Sequence, residues 1–554
     1  MRCSEAEALA AGYAALKDGR ADDARAIFAA SVADHGSAEA QEGLSWAALA
    51  LDDGDATIAA RQAAYRLYRD ADAHVAAARM AMWLAKDHDD FRGEVALANG
   101  WLARARRLLA DQPLAPEHGW LPVLECWGTA ASERDPDAIA ACARRAIEVA
   151  RSCGDGDLEL LGIGFEGLAL VDAGRVEDGM SRLDEAAAAV TGGELDEPLW
   201  ALVVFCNLIF ACERARDFAR AAEWCRKMRD EADRMRHTGS QGICRAHYGA
   251  VLTQCGDWAG AEDALAEAVR CFDASWPPYR AEALADLAEL RRRQGRLGEA
   301  AALLEQAAGT PRATLVQARC ALDLGQGAGA VVSAERYLRR FPETSTLHRV
   351  EGLEVLVRAA IAAGERPRAD AALAELDAIA RRVATRPLLA MASAARAAHG
   401  AVTGKTSEAR AGFEDAIDLY SRAGMAFDAA AARVELAELL ASDRPEAARG
   451  EAASALAALN AIGATHLARR AATLEDRIAR SLRGGTPENA ADALTPRQTE
   501  VLRHVAAGLT NREIAGELAL SEKTVDRHLS NAFDRLGVSS RAAATALAVE
   551  RGLI

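Results

Sequence analysis

One short pattern recurs through the first 480 or so residues of the chain. A helix ends at a Gly or Asp followed by a charged or aromatic residue, and a second helix then begins with alanines at packing positions. From Gly256 onward most of these turns lie about forty residues apart, with one shorter step near Gly325. A period of this length predicts helix-turn-helix units stacked into an α-solenoid, each burying its apolar face against its neighbours. The turns stand at Gly19-Arg20, Gly54-Asp55, Gly174-Arg175, Arg216-Asp217, Gly256-Asp257, Gly295-Arg296, Gly325, Gly364-Glu365 and Gly404-Lys405.

The alanines and glycines of this pattern have separate roles. Small alanines let paired helices approach closely, and the turn glycine supplies a left-handed backbone conformation that ends a helix. The array resembles tetratricopeptide repeats, in the longer form found in MalT-like regulators, although armadillo or HEAT-type stacking would give a similar period. The sequence therefore predicts an all-α protein whose residues 1–482 form a tetratricopeptide-like α-solenoid with a sensor or docking role.

The last sixty residues carry start and stop signals for four more helices. In chain order these are Thr495 with Pro496 and Gln498 before a helix ending at Gly508, Thr510 with Glu513 before a helix through Leu518, Ser521 before a helix to Leu536 and Gly537, and Ser539 or Ser540 before a helix ending near Gly552. Apolar residues at helical spacing predict the core: Val501, Leu502, Val505, Ile514, Ala515, Leu518, Val525, Leu529, Ala532, Phe533 and Leu536.

Only Ala519 and Leu520 separate the second of these helices from the Ser521 cap. That spacing predicts a helix-turn-helix, in which the second helix of the pair enters the DNA major groove. The stretch resembles the DNA-binding domain of LuxR-type transcription regulators over all four helices; an ordinary helical bundle is the alternative. The resemblance is carried by Leu494-Thr495-Pro496-Arg497, Glu500-Val501-Leu502, Gly508-Leu509-Thr510-Asn511-Arg512-Glu513-Ile514-Ala515, Ser521-Glu522-Lys523-Thr524-Val525, His528 and Leu536-Gly537-Val538.

The resemblance implies that the residues just after Thr524-Val525 face the groove. Arg527 is the first candidate for base readout, because a guanidinium binds guanine O6 and N7 in a bidentate manner. Phosphate contacts are expected from Lys523, Thr524 and His528, from the helix start at Thr510 and Asn511, and peripherally from Arg535 and Arg541. The predicted DNA-binding residues are Thr510, Asn511, Ser521, Lys523, Thr524, Asp526, Arg527, His528, Ser530, Asn531, Arg535 and Arg541.

Asp526 departs from the family pattern, in which a basic residue often follows the Thr-Val pair. A carboxylate accepts from cytosine N4 or orients Arg527, yet it also repels phosphate. This favours binding as a pair of domains on two half-sites. The fourth helix, from Arg541 to Arg551, is the family's dimerisation element; a plain packing helix is the alternative.

Charge and composition set the domain boundaries. The chain has 554 residues and a net charge of −16. Residues 494–554 contain eight Lys/Arg and seven Asp/Glu, hence +1, which leaves −17 for the remainder. DNA repels the large acidic part and tolerates the small one. Residues 483–493 are turn-rich, without apolar period, and are predicted to be a flexible linker between the solenoid and a DNA-binding domain at 494–554.

Several motifs fail as sites of enzyme chemistry. Gly404-Lys405-Thr406 resembles the end of a P-loop, but the required first glycine is His399. Asp87-His88-Asp89-Asp90 has metal-ligating side chains but is predicted to be a solvated loop between helices. Asp52-Asp53 and Asp89-Asp90 lack the alternating strands and helices of a receiver domain. No nucleophile, base and oxyanion set is apparent, so neither an enzyme nor a cofactor is expected.

Three further patterns concern the first half of the chain. Six cysteines from Cys206 to Cys271 are expected to be buried, reduced thiols, with a redox or metal sensor as the alternative. All nine tryptophans lie between Trp46 and Trp276, which predicts either a pocket or larger core side chains. The apolar run at residues 199–212 is too short for a membrane span and predicts a buried helix.

These observations predict a cytoplasmic, sequence-specific transcription regulator without membrane attachment. It would bind double-stranded DNA as a homodimer, and its acidic solenoid would sense a small-molecule, peptide or protein ligand and control access to DNA. The alternative function is a protein-interaction scaffold in which DNA binding is secondary.

Overall fold

The computed structural model describes residues 4–127, 135–197, 199–235, 238–484 and 495–536, with residues 541, 544 and 545. Within these residues every regular element is a helix and no strand occurs. Contacts divide the chain into two compact units. The first, Met1–Leu439 with Ser454–Ala471, is here called the repeat array; the second, Leu440–Ala453 with Ala472–Ile554, is the carboxyl-terminal unit.

Twenty-five described α-helices precede residue 485, and most pack against the next one along the chain. The first twelve are α1 Glu5–Lys17, α2 Ala21–His35, α3 Ala38–Ala50, α4 Gly54–Asp70, α5 His74–Arg92, α6 Val95–Leu109, α7 Glu117–Cys126, α8 Pro136–Cys153, α9 Gly156–Asp172, α10 Val176–Thr191, α11 Leu199–Ala215 and α12 Phe218–Met235. The next thirteen are α13 Thr238–Cys255, α14 Trp258–Ala274, α15 Arg280–Arg293, α16 Leu297–Gln306, α17 Pro311–Asp323, α18 Gly327–Leu338, α19 Thr346–Ala363, α20 Arg366–Val383, α21 Arg386–Val402, α22 Thr406–Arg422, α23 Ala426–Leu440, α24 Pro445–Ile462 and α25 Thr465–Gly484, with a 3₁₀ turn at Pro277–Tyr279. The predicted all-α, tetratricopeptide-like solenoid is confirmed.

The turn glycines end helices as the sequence predicts. Seven of them have positive φ, which places their backbone in the left-handed region that a side chain disfavours. They are Gly19, Gly174, Gly256, Gly295, Gly325, Gly364 and Gly404, with φ from 72° to 90°. At the turn before α12 the left-handed residue is Arg216, with φ of 61°.

Gly54 has a different role from the one predicted. It is the first residue of α4, and the left-handed position before it is occupied by Asp52, with φ of 57°. A Cβ on Gly54 would lie 2.6 Å from Cδ1 of Phe91 on α5, too close for any larger residue without movement. Gly54 is therefore needed for close helix packing rather than for turn conformation.

The stretch Asp87-His88-Asp89-Asp90 is not the solvated loop that the sequence predicts. All four residues lie on α5 and are between 3% and 8% exposed. Their charges are stabilised by partners that local sequence does not reveal: Arg61 on α4 donates to Asp87 at 2.7 Å, and Lys86 pairs with Asp90. A run of four polar residues thus forms a turn of helix that is buried on all sides, because neighbouring residues supply the counter-charges.

Helices about ten positions apart in the chain also contact each other, so the array curls back on itself. Asp52 accepts hydrogen bonds from the Thr238 backbone N–H and the Ser275 hydroxyl, both at 2.8 Å. The Tyr279 hydroxyl donates to Asp90 at 2.9 Å. These bonds join the α3–α5 region to α13 and to the segment between α14 and α15. The array is a superhelix whose interior is enclosed where successive turns meet.

A network of ion pairs around the partly buried carboxylate of Glu351 connects further helices of the array. Glu351 on α19 pairs with Arg216 at 2.7 Å, with Arg312 at 3.1 Å and with Arg319 at 3.2 Å. Burial opposes ionisation of Glu351, but the arginines outweigh it and hold its pKa well below the usual 4.5. A carboxyl group whose pKa is lowered by folding stabilises the protein fully above its unfolded pKa and loses that contribution as pH falls. The network is therefore intact at neutral pH.

The carboxyl-terminal unit contains three described helices after residue 494. They are α26 Pro496–Ala506, α27 Asn511–Glu517 and α28 Glu522–Leu536. Both predicted capping boxes are present, Thr495 with Gln498 and Thr510 with Glu513. The fourth predicted helix and residues 485–494 lie outside the described residues, apart from Arg541, Ala544 and Thr545, and α25 runs to Gly484.

The turn between α27 and α28 contains a conformation unusual for its residue. Ala519 has φ of 49°, in the left-handed region, while the next backbone N–H, of Leu520, donates to the Ala515 carbonyl at 2.9 Å. A left-handed residue with a Cβ costs about 1 kcal/mol relative to glycine. The turn of the helix-turn-helix therefore retains some strain.

The apolar run predicted to be a buried helix is α11, and its Val204, Leu208, Ile209 and Cys212 are fully buried. Among the described residues no helix has both the length and the apolar character needed to cross a bilayer.

Replacing Glu351 by Gln should destabilise the repeat array, because three arginines each lose one ion pair. Removing one partner of a fully buried pair costs about 3–5 kcal/mol; since the Glu351 side chain is 24% exposed, we expect about 2 kcal/mol. Urea unfolding followed by tryptophan fluorescence measures this, as all nine tryptophans lie in the array. Glu408→Gln is the control, since Glu408 is 77% exposed and lies 3.7 Å from Lys405. Equal stability of the two variants would show that the network contributes nothing.

Replacing Ala519 by Gly should stabilise the carboxyl-terminal helices by about 0.5–1 kcal/mol, because glycine adopts the left-handed turn without strain. Ala519→Val should have the opposite effect, since a β-branched residue disfavours positive φ. Hydrogen exchange of the α26–α28 amides in the full chain reports this local stability. Faster exchange in the glycine variant would contradict the assignment of strain.

Candidate functional site

The three carboxyl-terminal helices surround a small apolar core. Its buried side chains come from all three helices, and Leu509, Leu518, Leu520 and Phe533 pack around it half-buried. The fully buried members are Val501, Leu502, Val505, Ile514, Ala515, Val525, Leu529, Ala532 and Ala544. The core predicted from apolar spacing is confirmed where the structure describes it. This core fixes which face of α28 points outward.

The outward face of α28 carries most of the predicted DNA-binding side chains. Lys523, Asp526, Arg527, Ser530 and Asn531 are all exposed, and their spacing of three to four residues aligns them along the helix. They lie opposite the buried residues of the same helix. Arg527 makes no hydrogen bond or ion pair with any described residue. One helix face thus presents a guanidinium, an amine, a carboxylate and two neutral polar groups together.

Two predicted residues are engaged in capping. The Ser521 hydroxyl accepts from the Thr524 backbone N–H at 3.1 Å and lies 2.7 Å from the Thr524 hydroxyl. Thr510 caps α27, where its backbone N–H and its hydroxyl both donate to Glu513, at 2.7 and 2.8 Å. These bonds lower the pKa of Glu513, so that its carboxylate is charged and fixed at the helix start. His528 is half-buried, and the side chain of Arg535 lies outside the described residues.

Asn511 connects two other predicted residues. Its amide nitrogen lies 3.5 Å from Oδ1 of Asp526, and its amide oxygen accepts from Arg541 at 2.8 Å. Arg541 also donates to the Leu509 carbonyl. The Asp526 carboxylate is thus adjacent to the amino terminus of α27, where the helix dipole favours negative charge. Sequence spacing did not indicate this arrangement, because the three residues lie on different elements.

A further interaction that the sequence did not reveal involves Arg497. Its guanidinium donates to the Leu518 carbonyl at 2.6 Å and pairs with Glu500 at 2.6 Å. Leu518 is the carboxyl-terminal cap of α27, so Arg497 satisfies one of the unpaired carbonyls of that helix end. The position of α27, and of the turn after it, therefore depends on a side chain from α26.

The repeat array contains a second candidate site, a cavity of about 690 Å³. Five of the nine tryptophans line it, and three pairs of these rings are in contact: Trp83 stacks on Trp200 at 5.7 Å, Trp83 meets Trp46 edge-on at 5.2 Å, and Trp127 meets Trp200 edge-on at 6.1 Å. Trp83 is only 8% exposed and belongs to the core as well. Both predictions from the tryptophan distribution, a pocket and large core side chains, therefore hold. The five rings are Trp46, Trp83, Trp127, Trp200 and Trp276.

The cavity lining is strongly ionic for an enclosed space. Arg61 is fully buried, with its guanidinium 4.7 Å from the Trp46 ring and paired with Asp87. Burial raises the pKa of Asp87 to about 6, against the opposing effect of Arg61. Burial likewise raises the pKa of Asp172 to about 6, although Arg214 opposes it. A cavity with these dimensions and this mixture of aromatic and polar groups can hold a small molecule.

The cysteines in this part of the chain have the environment of structural thiols. Burial raises the pKa of Cys206, Cys212 and Cys225, so none is a reactive thiolate at neutral pH. Every described cysteine is free. Across the described residues no group of three or more His, Cys, Asp or Glu side chains is placed to hold a metal ion.

Comparison with known proteins gives two separate likenesses. The nitrate/nitrite response regulator protein homolog of Haemophilus influenzae is 47% identical over 64 residues, and NarP, the nitrate/nitrite response regulator of Escherichia coli, is 42% identical over 67. Each alignment covers 12% of this chain and 31% of the relative, so the chain spans about a third of the length of the curated relatives it matches.

A solved structure is similar to a larger share of the chain. The Rap protein complexed with competence and sporulation factor aligns with 63% of this chain and 98% of its own, at 11% identity and a TM-score of 0.48.

Residues 492–548 match the family model described as GerE, bacterial regulatory proteins, luxR family. The carboxyl-terminal end of this chain is a LuxR-type helix-turn-helix domain, carried behind a tetratricopeptide-like helical array.

Proposed function

We propose that this protein is a sequence-specific DNA-binding transcription regulator whose repeat array receives a signal. The observation that carries the proposal is the exposed face of α28, on which Arg527 has no described partner inside the protein. An exposed, unpaired guanidinium on the second helix of a helix-turn-helix is available for a guanine in the major groove. The match of this segment to the luxR family supports the same role.

The other side chains have roles set by their positions. Lys523, Thr524 and His528 would contact phosphates at the edge of the groove, and Ser530 and Asn531 both lie about one turn beyond Arg527 along the reading face. Asp526 either accepts from cytosine N4 or stays against Asn511. In both cases it adds negative charge to the face.

Dimerisation follows from the weak charge of the domain. Residues 494–554 have a net charge of +1, so a single domain neutralises few phosphates and binds weakly. Two domains on paired half-sites would double the contacts. We propose the segment from Arg541 to Arg551 as the dimerisation element, and the cytoplasm as the compartment in which DNA is reached.

The repeat array would control this binding. Residues 1–493, which include the repeat array, carry a net charge of −17. This negative charge repels DNA. The repeat array also contains a cavity large enough for a small molecule, which favours a sensor over a pure scaffold.

Replacing Arg527 by Ala should weaken binding to the preferred site by about 1–3 kcal/mol and relax the sequence preference at one base pair. The measurement is selection of sites from randomised duplex DNA with purified full-length protein, followed by binding titrations. Lys523→Ala is the matched comparison: it should weaken binding equally on all sequences and reduce the salt dependence by about one phosphate contact. If no sequence is enriched by the wild-type protein, specific DNA binding is disproved. An unchanged profile for Arg527→Ala removes that residue from base readout.

Residues 483–554 alone should bind the selected site more tightly than the full chain at low salt, because the fragment lacks the acidic remainder. The difference should shrink as salt rises, since the Debye length falls from about 30 Å at 0.01 M to about 10 Å at 0.1 M. Fluorescence anisotropy with labelled DNA at several salt concentrations measures both. Equal affinity of fragment and full chain at every salt concentration would show that the array does not restrain DNA binding.

A further inference from the structure

We propose that the cavity of the repeat array binds an organic monocation: a protonated amine attached to an apolar, ring-bearing body, which sits against Glu282 and the aromatic wall beside it. The idea that this amine is the signal of the regulator rests on the proposed function. The idea that the amine binds in the cavity is independent of the proposed function.

The first argument is the charge balance of the lining. Seven carboxyl side chains and six lysine or arginine side chains line the cavity. Most carboxylates have a partner: Asp286 pairs with Arg312 at 2.7 Å, and Glu213 lies 3.2 Å from His247. Glu282 lines the same cavity and makes no hydrogen bond or ion pair with any described residue. Glu351 has a further partner in Arg319, outside the lining, so Glu282 is the lining carboxylate to which a bound ammonium group would supply a partner.

The second argument is the enclosure of Glu282. Its carboxylate is exposed to the cavity but surrounded by protein, and this burial together with the nearby Asp286 raises its pKa to about 7. Arg312, Arg214 and Arg340, which come from α17, α11 and the end of α18, oppose the shift but do not cancel it. The cavity lining thus includes a carboxyl group that is partly protonated at neutral pH. A bound ammonium group would favour its ionised form.

The third argument is the aromatic wall directly before Glu282 in the chain. Tyr279, three residues earlier, stacks on Phe272 at 5.9 Å and contacts Trp276 at 5.6 Å. All three rings line the cavity. Aromatic faces attract a cation by about 0.5–2 kcal/mol and also accept an apolar ring. A cavity lined by both this carboxylate and these rings fits an amine with a ring-bearing body better than it fits an inorganic cation.

A fourth observation concerns a buried polar group in the lining. Asn207 on α11 lines the cavity, is only 5% exposed, and its amide Nδ2 has no hydrogen-bond partner among the described residues. A buried donor without an acceptor costs about 1–3 kcal/mol. A bound molecule would offer Asn207 an acceptor atom or the face of its ring.

The test compares three molecules that share one indole ring and chain: tryptamine, which is cationic; tryptophol, which is neutral; and indole-3-propionate, which is anionic. Isothermal titration calorimetry on the full chain should show tryptamine binding at least tenfold more tightly than tryptophol, with indole-3-propionate weakest. Glu282→Gln should remove this preference and lower tryptamine affinity at least tenfold. Glu305→Gln, an exposed glutamate outside the cavity lining, is the control and should change nothing.

The pH dependence provides a readout that a purely structural role would not produce. A proton on Glu282 competes with the amine, so tryptamine affinity should rise about tenfold between pH 6 and pH 8 and level off above the pKa of Glu282. The amine itself stays charged throughout this range. Glu282→Gln should bind with no such rise. Because Glu282 has no described partner, this variant should keep the wild-type unfolding midpoint, which a thermal scan verifies.

Several outcomes would overturn the proposal. These are absence of tryptamine binding up to about 10 mM, equal or tighter binding of the anion, and unchanged tryptamine binding by Glu282→Gln. Failure of the DNA-site selection would disprove transcriptional regulation but leave these calorimetric results unaffected, so the two proposals fail separately.

Discussion

The shared carboxylate of Glu351 is the interaction on which the repeat array most depends. In a solenoid each repeat contacts only its neighbours, so stability accumulates along the chain but nothing joins distant repeats. Glu351 supplies such a connection, because Arg216 reaches it from the turn before α12 and Arg312 and Arg319 reach it from α17. A lone buried carboxylate would be unfavourable, whereas three arginines make its ionised form stable. Together with the bonds from Asp52, this network connects early and late helices of the array, and both sets of helices line the cavity.

The sequence predicts local structure well and this closure poorly. Turn glycines and alanine positions depend on backbone conformation within a few residues, so the helix pairs are predictable. Contacts such as Asp52 with Thr238 depend instead on small rotations summed over about ten helices, which have no local signature. The misassignment of residues 87–90 has the same origin. Four consecutive polar residues indicate a loop unless the charges on other helices that compensate them are known.

In the DNA-binding segment, too, the sequence predicts local structure well and contacts between elements poorly. The capping boxes and the exposed face of α28 follow from periodicity and helix-end chemistry, and the structure has them where the sequence placed them. The placement of Asn511 between Asp526 and Arg541 was not predictable, since it requires the relative position of three elements. The placement of Asn511 gives a structural reason for Asp526, the residue that departs from the family pattern. The carboxylate lies near the amino terminus of α27, where negative charge is favourable.

Under the proposed function, contacts between distant helices would give the cavity a means of transmitting a signal. The cavity is lined both by early helices, including α4 and α5, and by later ones, including α15, α17 and α19. A ligand held between them would contact both sets of helices, so it would stabilise the arrangement seen here by RT ln(1 + [L]/Kd). At a hundredfold excess over Kd this amounts to about 2.7 kcal/mol. A ligand can shift a conformational equilibrium only by its differential affinity for the two states, and a stabilisation of this size would match the contribution expected of the Glu351 network.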